Sequence, residues 1–339
     1  MLTLDVMHRI ELSGDPFLHR LLPQILRANF AFWPTRTRID VEGADRVPRD
    51  RQVFFAMNHT DRFNYLPFYV AMYDREFPVI CTWVKGKYFQ NPLLRDFLAA
   101  VNQLPAPSKG YLITADAQNV LGEPPDPTTY RVLRDAVDAR ETNPEALLSR
   151  ARDANRLDVV EPLVETPRDM LGLRFDPVVE SYVAAQRRLF AEMMEAFVAL
   201  NHQAFDLGCN ILVFPEGTRS RRLREGHTGL AQMAIRMGAT VVPVGCHGSD
   251  EAYPGSNPFS RGGRVMYRFG EPLRPESELA EFQTDDAFRP FTDEAADAHG
   301  ERFEAMTALV MDRLNDVLDP AYQRRDDAAE GIEGAERFV

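Results

Sequence analysis

Lysine is nearly missing from this chain: Lys85, Lys87 and Lys109 are the only three in 339 residues, so the 39 cationic side chains are almost all arginine. Cysteine is equally sparse. Cys81, Cys209 and Cys246 lie far apart with no paired spacing, which excludes a disulfide framework and a Cys-rich zinc site and leaves buried, reduced thiols as the expectation. No segment approaches the ~18–20 uninterrupted apolar residues of a membrane-spanning helix. The N-terminus has no basic start, apolar run and cleavage site in sequence, and a cytoplasmic protein is expected. A formal charge of -12 argues against nucleic acid as a partner and against bulk attraction to an anionic bilayer. Also absent are a Gly-x-Ser-x-Gly elbow, a Gly-x-x-x-x-Gly-Lys loop, a Gly-x-Gly-x-x-Gly turn and a His-Glu-x-x-His helix. No cofactor and no metal is implied.

What is present is a core-forming chain, 45% apolar, in which short apolar runs alternate with helical periodicity. Strands are expected at 53–57, 78–83, near 101–104, and at 211–214, 240–244 and 264–269. Stripes at Leu189, Met193, Ala196, Phe197, Leu200 and Ala204, at Leu230, Met233, Ala234 and Met237, and from Phe303 to Val317 predict helices between and after them. This is the alternation of an α/β domain, with a central mixed sheet flanked by helices. An amphipathic helix is expected to start at Asp15-Pro16, with Leu18, Leu21, Leu22, Ile25 and Leu26 on one face and Phe30, Phe32 and Trp33 following. It suggests either core packing or peripheral contact with a membrane. Between about 110 and 180 the chain is polar and proline-punctuated. It reads as an insertion outside the core, with small helices near Leu147, Leu148 and Leu157–Val164 that form either a cover over the site or a plain surface insertion. The resulting division is an N-terminal segment 1–36, a main domain 37–323 containing that insertion, and a flexible acidic tail 324–339.

Two polar turns carry the chemistry. Each follows an apolar strand. After Ile211–Val213 comes Phe214-Pro215-Glu216-Gly217-Thr218-Arg219-Ser220: Pro215 ends the strand, Gly217 lets a ligand approach the backbone, and Arg219 offers a planar fork suited to phosphate. After Val53–Met57 comes Asn58-His59-Thr60-Asp61-Arg62-Phe63-Asn64, with His59 a natural general base at a strand end. Arg219, Arg221, Arg222 and Arg224 crowd one turn, which reads either as a docking place for phosphate or as a solvated charged face.

Together these residues resemble the lysophospholipid and glycerol-phosphate acyltransferase family, whose first motif is Asn-His with Asp five residues beyond the His and whose third motif is Phe-Pro-Glu-Gly-Thr-Arg-Ser. All seven positions of the third motif match. Gly226–Ala231 resembles the family's following helix start, Val241-Val242-Pro243-Val244 its fourth motif, and Lys85-Gly86-Lys87 with Pro92 a weak second motif. The resemblance implies transfer of a fatty acyl group from acyl-CoA or acyl carrier protein to a hydroxyl of a lysophospholipid or glycerol phosphate. His59 is then the base, and Glu216, Gly217, Thr218, Arg219, Lys85 and Lys87 bind substrate. It further implies peripheral work on the inner face of a membrane.

The chain departs from that pattern at the base. Asn64 stands where the family has its Asp, and Asp61 lies two residues after the histidine. In the Ser-His-Asp template the same Asp-to-Asn exchange costs about 10⁴ in turnover. Two arrangements remain open: Asp61 as the charged partner of His59, which is favoured because a carboxylate raises histidine basicity, or Asn64 as a neutral acceptor. The second motif's downstream Arg is also missing from Asn102–Ser108, where Lys109 is the nearest cation. These departures keep an alternative alive, a catalytically weakened member that binds lipid without acylating it.

Overall fold

The computed structural model describes residues 1–31 and 35–325. Phe32, Trp33 and the tail beyond 325 lie outside the described residues. The chain opens with α1 (Leu4–His8) and α2 (Phe17–Ala31), enters the sheet at β1 (Thr37–Glu42) and β2 (Val53–Met57), and continues through α3 (Tyr65–Tyr73), β3 (Ile80–Lys85), α4 (Pro92–Ala100) and β4 (Leu104–Ala106). Four helices follow, α5 (Lys109–Leu121), α6 (Pro127–Asp138), α7 (Pro144–Asp153) and α8 (Leu157–Glu165), then the hairpin β5 (Arg168–Met170) and β6 (Leu173–Phe175). The long α9 (Tyr182–Asp206) leads to β7 (Asn210–Val213), α10 (Gly229–Met237), β8 (Thr240–His247), α11 (Ser249–Ala252), β9 (Gly263–Phe269) and α12 (Asp293–Asp316).

The main sheet is seven-stranded, in the order β1-β9-β8-β2-β7-β3-β4. Neighbours run parallel except β8 and β9, so the sheet is mixed. Every residue of β2, β7 and β8 is buried, as expected of central parallel strands covered on both faces. Phe54 and Ile211 face one apolar cluster, Phe55 and Leu212 the other, which is the period-2 alternation of a pleated strand.

The 110–180 segment departs from expectation. Its helices form, but they belong to the core: Leu133 and Val137 of α6, Leu147 of α7, and Val160 and Leu163 of α8 are buried in the same cluster as Phe54 and Ile211. Four short helices each turn one polar face outward, so the average polarity of the stretch conceals a full inner stripe. One buried ion pair ties this layer down. Arg168 donates to both oxygens of the fully buried Asp116, at 2.9 and 2.7 Å, joining the hairpin to α5. Removing either partner strands a buried charge, at a cost of about 3–5 kcal/mol.

The N-terminal helix also differs from a single apolar face. Leu22, Leu26 and Phe30 pack inward, whereas Phe17, Leu21 and Ile25 are 74%, 41% and 58% exposed and form a second stripe at i, i+4, i+8. Among the described residues, no helix is long and apolar enough to cross a membrane.

Candidate functional site

Three neighbouring parallel strands, β2, β7 and β3, end at the same edge of the sheet. Ala56 pairs with Val213 and Leu212 with Thr82, so the turn carrying His59, the turn carrying Glu216–Arg219 and Lys85 all leave from that edge. Strand ends of α/β sheets are where ligands gather. Asn58 fixes the first turn: its side chain donates to the Cys246 carbonyl at 3.0 Å and accepts from the Cys246 N–H at 2.7 Å, completing the ladder to β8 beyond the last paired residue.

The two motif turns are bolted to each other. Glu216, 2% exposed, accepts the backbone N–H of His59 at 2.9 Å and that of Arg224 at 3.2 Å, and the Ser220 N–H donates to the His59 carbonyl at 2.8 Å. Burial pushes the Glu216 carboxyl up to about 7, opposed by those two amide bonds and by the Arg224 charge. Glu216 was expected to hold substrate. Both of its oxygens are instead occupied by backbone donors, so its carboxylate braces the site.

His59 stacks on Phe214, ring centroids 4.1 Å apart and planes 23° from parallel. Its Nδ1 is buried and has no hydrogen-bond partner, and the same holds for Oδ1 of Asn64 beside it. Asn64 favours the charged ring, but burial, then Arg219, then Lys85 outweigh it and hold the His59 pKa down to about 3. With Nδ1 enclosed, Nε2 is the nitrogen left to meet a ligand. The Asn64 amide is oriented by its own bond, Nδ2 donating to the Asn58 carbonyl at 2.9 Å, which turns the oxygen away from that carbonyl.

Asp61 corrects the favoured reading of the sequence. Its carboxylate accepts from Thr60 Oγ1 at 2.9 Å and from the Phe63 N–H at 2.8 Å, and these local bonds occupy both of its oxygens. An Asx turn two residues long uses the side chain locally before it can reach back to the imidazole. Asn64 is the residue brought to His59.

The remaining predicted residues cluster around this pair. Arg219 is exposed and acts on both His59 and Lys87; Arg62 also acts on Lys87, whose pKa is lowered by burial and then by these two charges. Arg62 and Lys87 both lie over the Tyr88 ring, at 5.6 and 5.9 Å. A chain of net charge -12 thus gathers four cations at one strand edge. Thr218 turns back on its own loop, its hydroxyl donating to the Glu216 carbonyl at 3.5 Å. Gly217 has φ 63°, and a Cβ there would meet His227 Cδ2 at 2.8 Å, so the glycine is needed for both backbone and space.

A cleft of about 560 Å³ opens beside Phe214, within the range of small-molecule sites. Trp83, Val213 and Leu230 give it an apolar floor, and Lys85, Lys87 and His227 line it from the motif side. His59, stacked on Phe214, and Arg219 are not among the residues that line it. The opposite wall is α6, contributing Tyr130, Arg131 and Arg134. Sequence reasoning missed these residues, and no motif marks them. His227 has no role marked in the sequence; the structure shows it seated on Gly217. Among the described residues, no group of three or more His, Cys, Asp or Glu is arranged to hold a metal ion.

Residues 179–247 match the family model described as Acyltransferase. That stretch contains the whole Glu216–Arg219 turn and β8, so the resemblance carried by the seven-residue motif has independent support there, while His59 lies outside it. No curated protein gives a match. Among solved structures the chain is similar to the 1-acyl-sn-glycerophosphate (LPA) acyltransferase PlsC from Thermotoga maritima, at 15% identity over 91% of this chain and 86% of that one, with a TM-score of 0.39. Similarity at that level carries no argument about chemistry.

Proposed function

With the acyltransferase family of residues 179–247 as premise, we propose that this protein moves a fatty acyl group from a thioester, carried by coenzyme A or acyl carrier protein, to a hydroxyl of a lysophospholipid or glycerol phosphate. The observation that carries the reading is the juxtaposition of His59 with Arg219 and Lys85. Burial first, and then those cations, keep the free imidazole neutral and very weakly basic. An acceptor phosphate seated on Arg219 cancels their charge, so the base gains strength only when its substrate is in place. The acceptor O–H then gives its proton to His59 Nε2 as its oxygen attacks the thioester carbon. The tetrahedral oxyanion collapses, the C–S bond breaks, and the leaving thiolate takes the proton from the imidazolium, giving ester and free thiol. In this reading the unpartnered Asn64 Oδ1 accepts a hydrogen bond from the Nδ1–H of the ring in the reacting complex and so positions it as a neutral acceptor.

The stripe of Phe17, Leu21 and Ile25 supports peripheral contact with a membrane, on its inner face, where a two-chain product is released. The test is release of free thiol from palmitoyl-CoA by purified protein, with and without lysophosphatidic acid or glycerol 3-phosphate. Acceptor-dependent release that falls roughly 10²–10⁴-fold in His59→Ala is expected. Equal activity in both proteins would reject His59 as the base. The neutral Asn64 favours a second reading, lipid binding without acylation, which predicts acceptor binding with no thiol release.

A further inference from the structure

The cleft beside Phe214 is lined by β3, β4, the start of α5, β7 and the start of α10, with α6 adding Tyr130, Arg131 and Arg134; of these only β7 and α10 lie inside the acyltransferase match of residues 179–247. α6 is held rigidly for a surface helix. Asp126 caps it through the Thr128 and Thr129 N–H groups, at 2.9 and 3.2 Å, and is itself paired with Arg156. Leu133, Ala136 and Val137 anchor its inner face in the core. Two arginines of α6 line the cleft. Arg134 is committed to Asp138 by an ion pair of 2.6 Å, while Arg131 is exposed at the rim and has no ion pair among the described residues.

A ligand of this cleft therefore meets Arg131 and Arg134 on the α6 side, the apolar surfaces of Trp83, Val213 and Leu230, and then Lys85, Lys87, His227 and Phe214, on which the His59 ring stacks. The acceptor phosphate is assigned to Arg219, which does not line the cleft, and this leaves Arg131 for a different anion. Acyl thioesters of phosphopantetheine have the matching sequence of groups: a phosphate, a long uncharged amide-containing arm, then the thioester carbon.

We propose that Arg131 binds the phosphate of the phosphopantetheine arm of the acyl donor, with the arm lying between α6 and β3 and its thiol end at Phe214. The assignment of donor class rests on the acyl-transfer reading. It divides the anions of the reaction between two sites, the donor phosphate on α6 and the acceptor phosphate on Arg219. Coenzyme A and holo acyl carrier protein both present this phosphate, and Arg131 serves either.

Equilibrium binding to the full chain tests this without catalysis, using pantetheine, 4′-phosphopantetheine, coenzyme A and holo acyl carrier protein as probes. Phosphopantetheine should bind about tenfold more tightly than pantetheine, the value of one charge-assisted phosphate contact. Arg131→Gln should erase most of that difference, weaken coenzyme A or carrier-protein binding by a similar factor, and leave pantetheine affinity and thermal midpoint unchanged. Arg134→Gln should have a smaller effect. The tighter of the last two probes identifies the source of the phosphate. Equal binding of pantetheine and phosphopantetheine, discrimination that survives in Arg131→Gln, or no binding of any phosphorylated probe would each overturn the proposal. Intact discrimination in a protein that never releases thiol would count against the catalytic reading alone, and thiol release without discrimination against this one alone.

Discussion

Asn64 donates its side-chain N–H to the carbonyl of Asn58 at 2.9 Å, and that bond determines what the residue can offer His59. An aspartate at this position has no donor for the Asn58 carbonyl and places two acceptors face to face in a fully buried site. Asn64→Asp, which restores the family's residue, is therefore expected to lower stability by about 1–3 kcal/mol, seen as a reduced thermal midpoint, and to leave turnover no higher than in the native chain. Asn64→Ala should reduce turnover by about 10–100-fold, and Asp61→Asn should affect folding more than rate. A stable Asn64→Asp protein with raised turnover would mean that the Asn58 carbonyl is satisfied some other way.

His59 gives the site its pH behaviour. Its folded pKa of about 3 lies below the ordinary value of 6.5, so between these limits the unfolded chain binds a proton that the folded chain does not. The stability this histidine contributes is whole above pH 6.5 and is lost as pH falls toward 3. By NMR, the free protein should show a His59 imidazole that stays neutral down to pH 5. Glycerol 3-phosphate or Arg219→Gln should each move its titration upward, since either removes a positive field while burial persists. A His59 that titrates near 6.5 in the free protein would sink this account.

The parts of this site that were legible in the sequence are those set by local chemistry. The strand ends at Met57 and Val213, the turn at Gly217 and the basic character of Lys85 and Arg219 follow from apolar runs, a glycine and charge. Partnership was not legible in the same way. Asp61 and Asn64 are both within reach of His59 on paper, and only the hydrogen bonds of Phe63 and Asn58 decide between them. Glu216 looked like a ligand for substrate because a carboxylate in a motif usually faces one; its backbone partners are 157 and 8 residues away. The core role of α6 to α8 was hidden for another reason. Helices that bury a single stripe keep most of their residues polar, and composition averages over both faces.

Gly217 and His227 should behave as one unit. An alanine at 217 takes on a left-handed φ and a Cβ 2.8 Å from the His227 ring, and about 1–2 kcal/mol of stability should be lost. Removing the ring leaves only the backbone part of that cost. The double variant Gly217→Ala/His227→Ala should therefore be more stable than the sum of the two single effects predicts, as measured by denaturant titration. Strict additivity would show that the ring moves aside freely.

The outward stripe of α2 can be tested apart from the fold that carries it. Phe17, Leu21 and Ile25 are exposed, while Leu22, Leu26 and Phe30 hold the helix to the body, so charges can be introduced on one face without disturbing the other. Each apolar side chain that enters a bilayer interface contributes about 1.5–3 kcal/mol at full burial, and three together are enough to decide whether a chain of net negative charge stays on a membrane. The triple variant Phe17→Glu/Leu21→Glu/Ile25→Glu should lose most of its flotation with phosphatidylglycerol-containing liposomes while keeping its thermal midpoint. It should also retain thiol release with glycerol 3-phosphate, a soluble acceptor, and lose it selectively with an acceptor presented in vesicles. Unchanged flotation at an unchanged midpoint would remove α2 from the membrane face and return its exposed stripe to an unexplained surface.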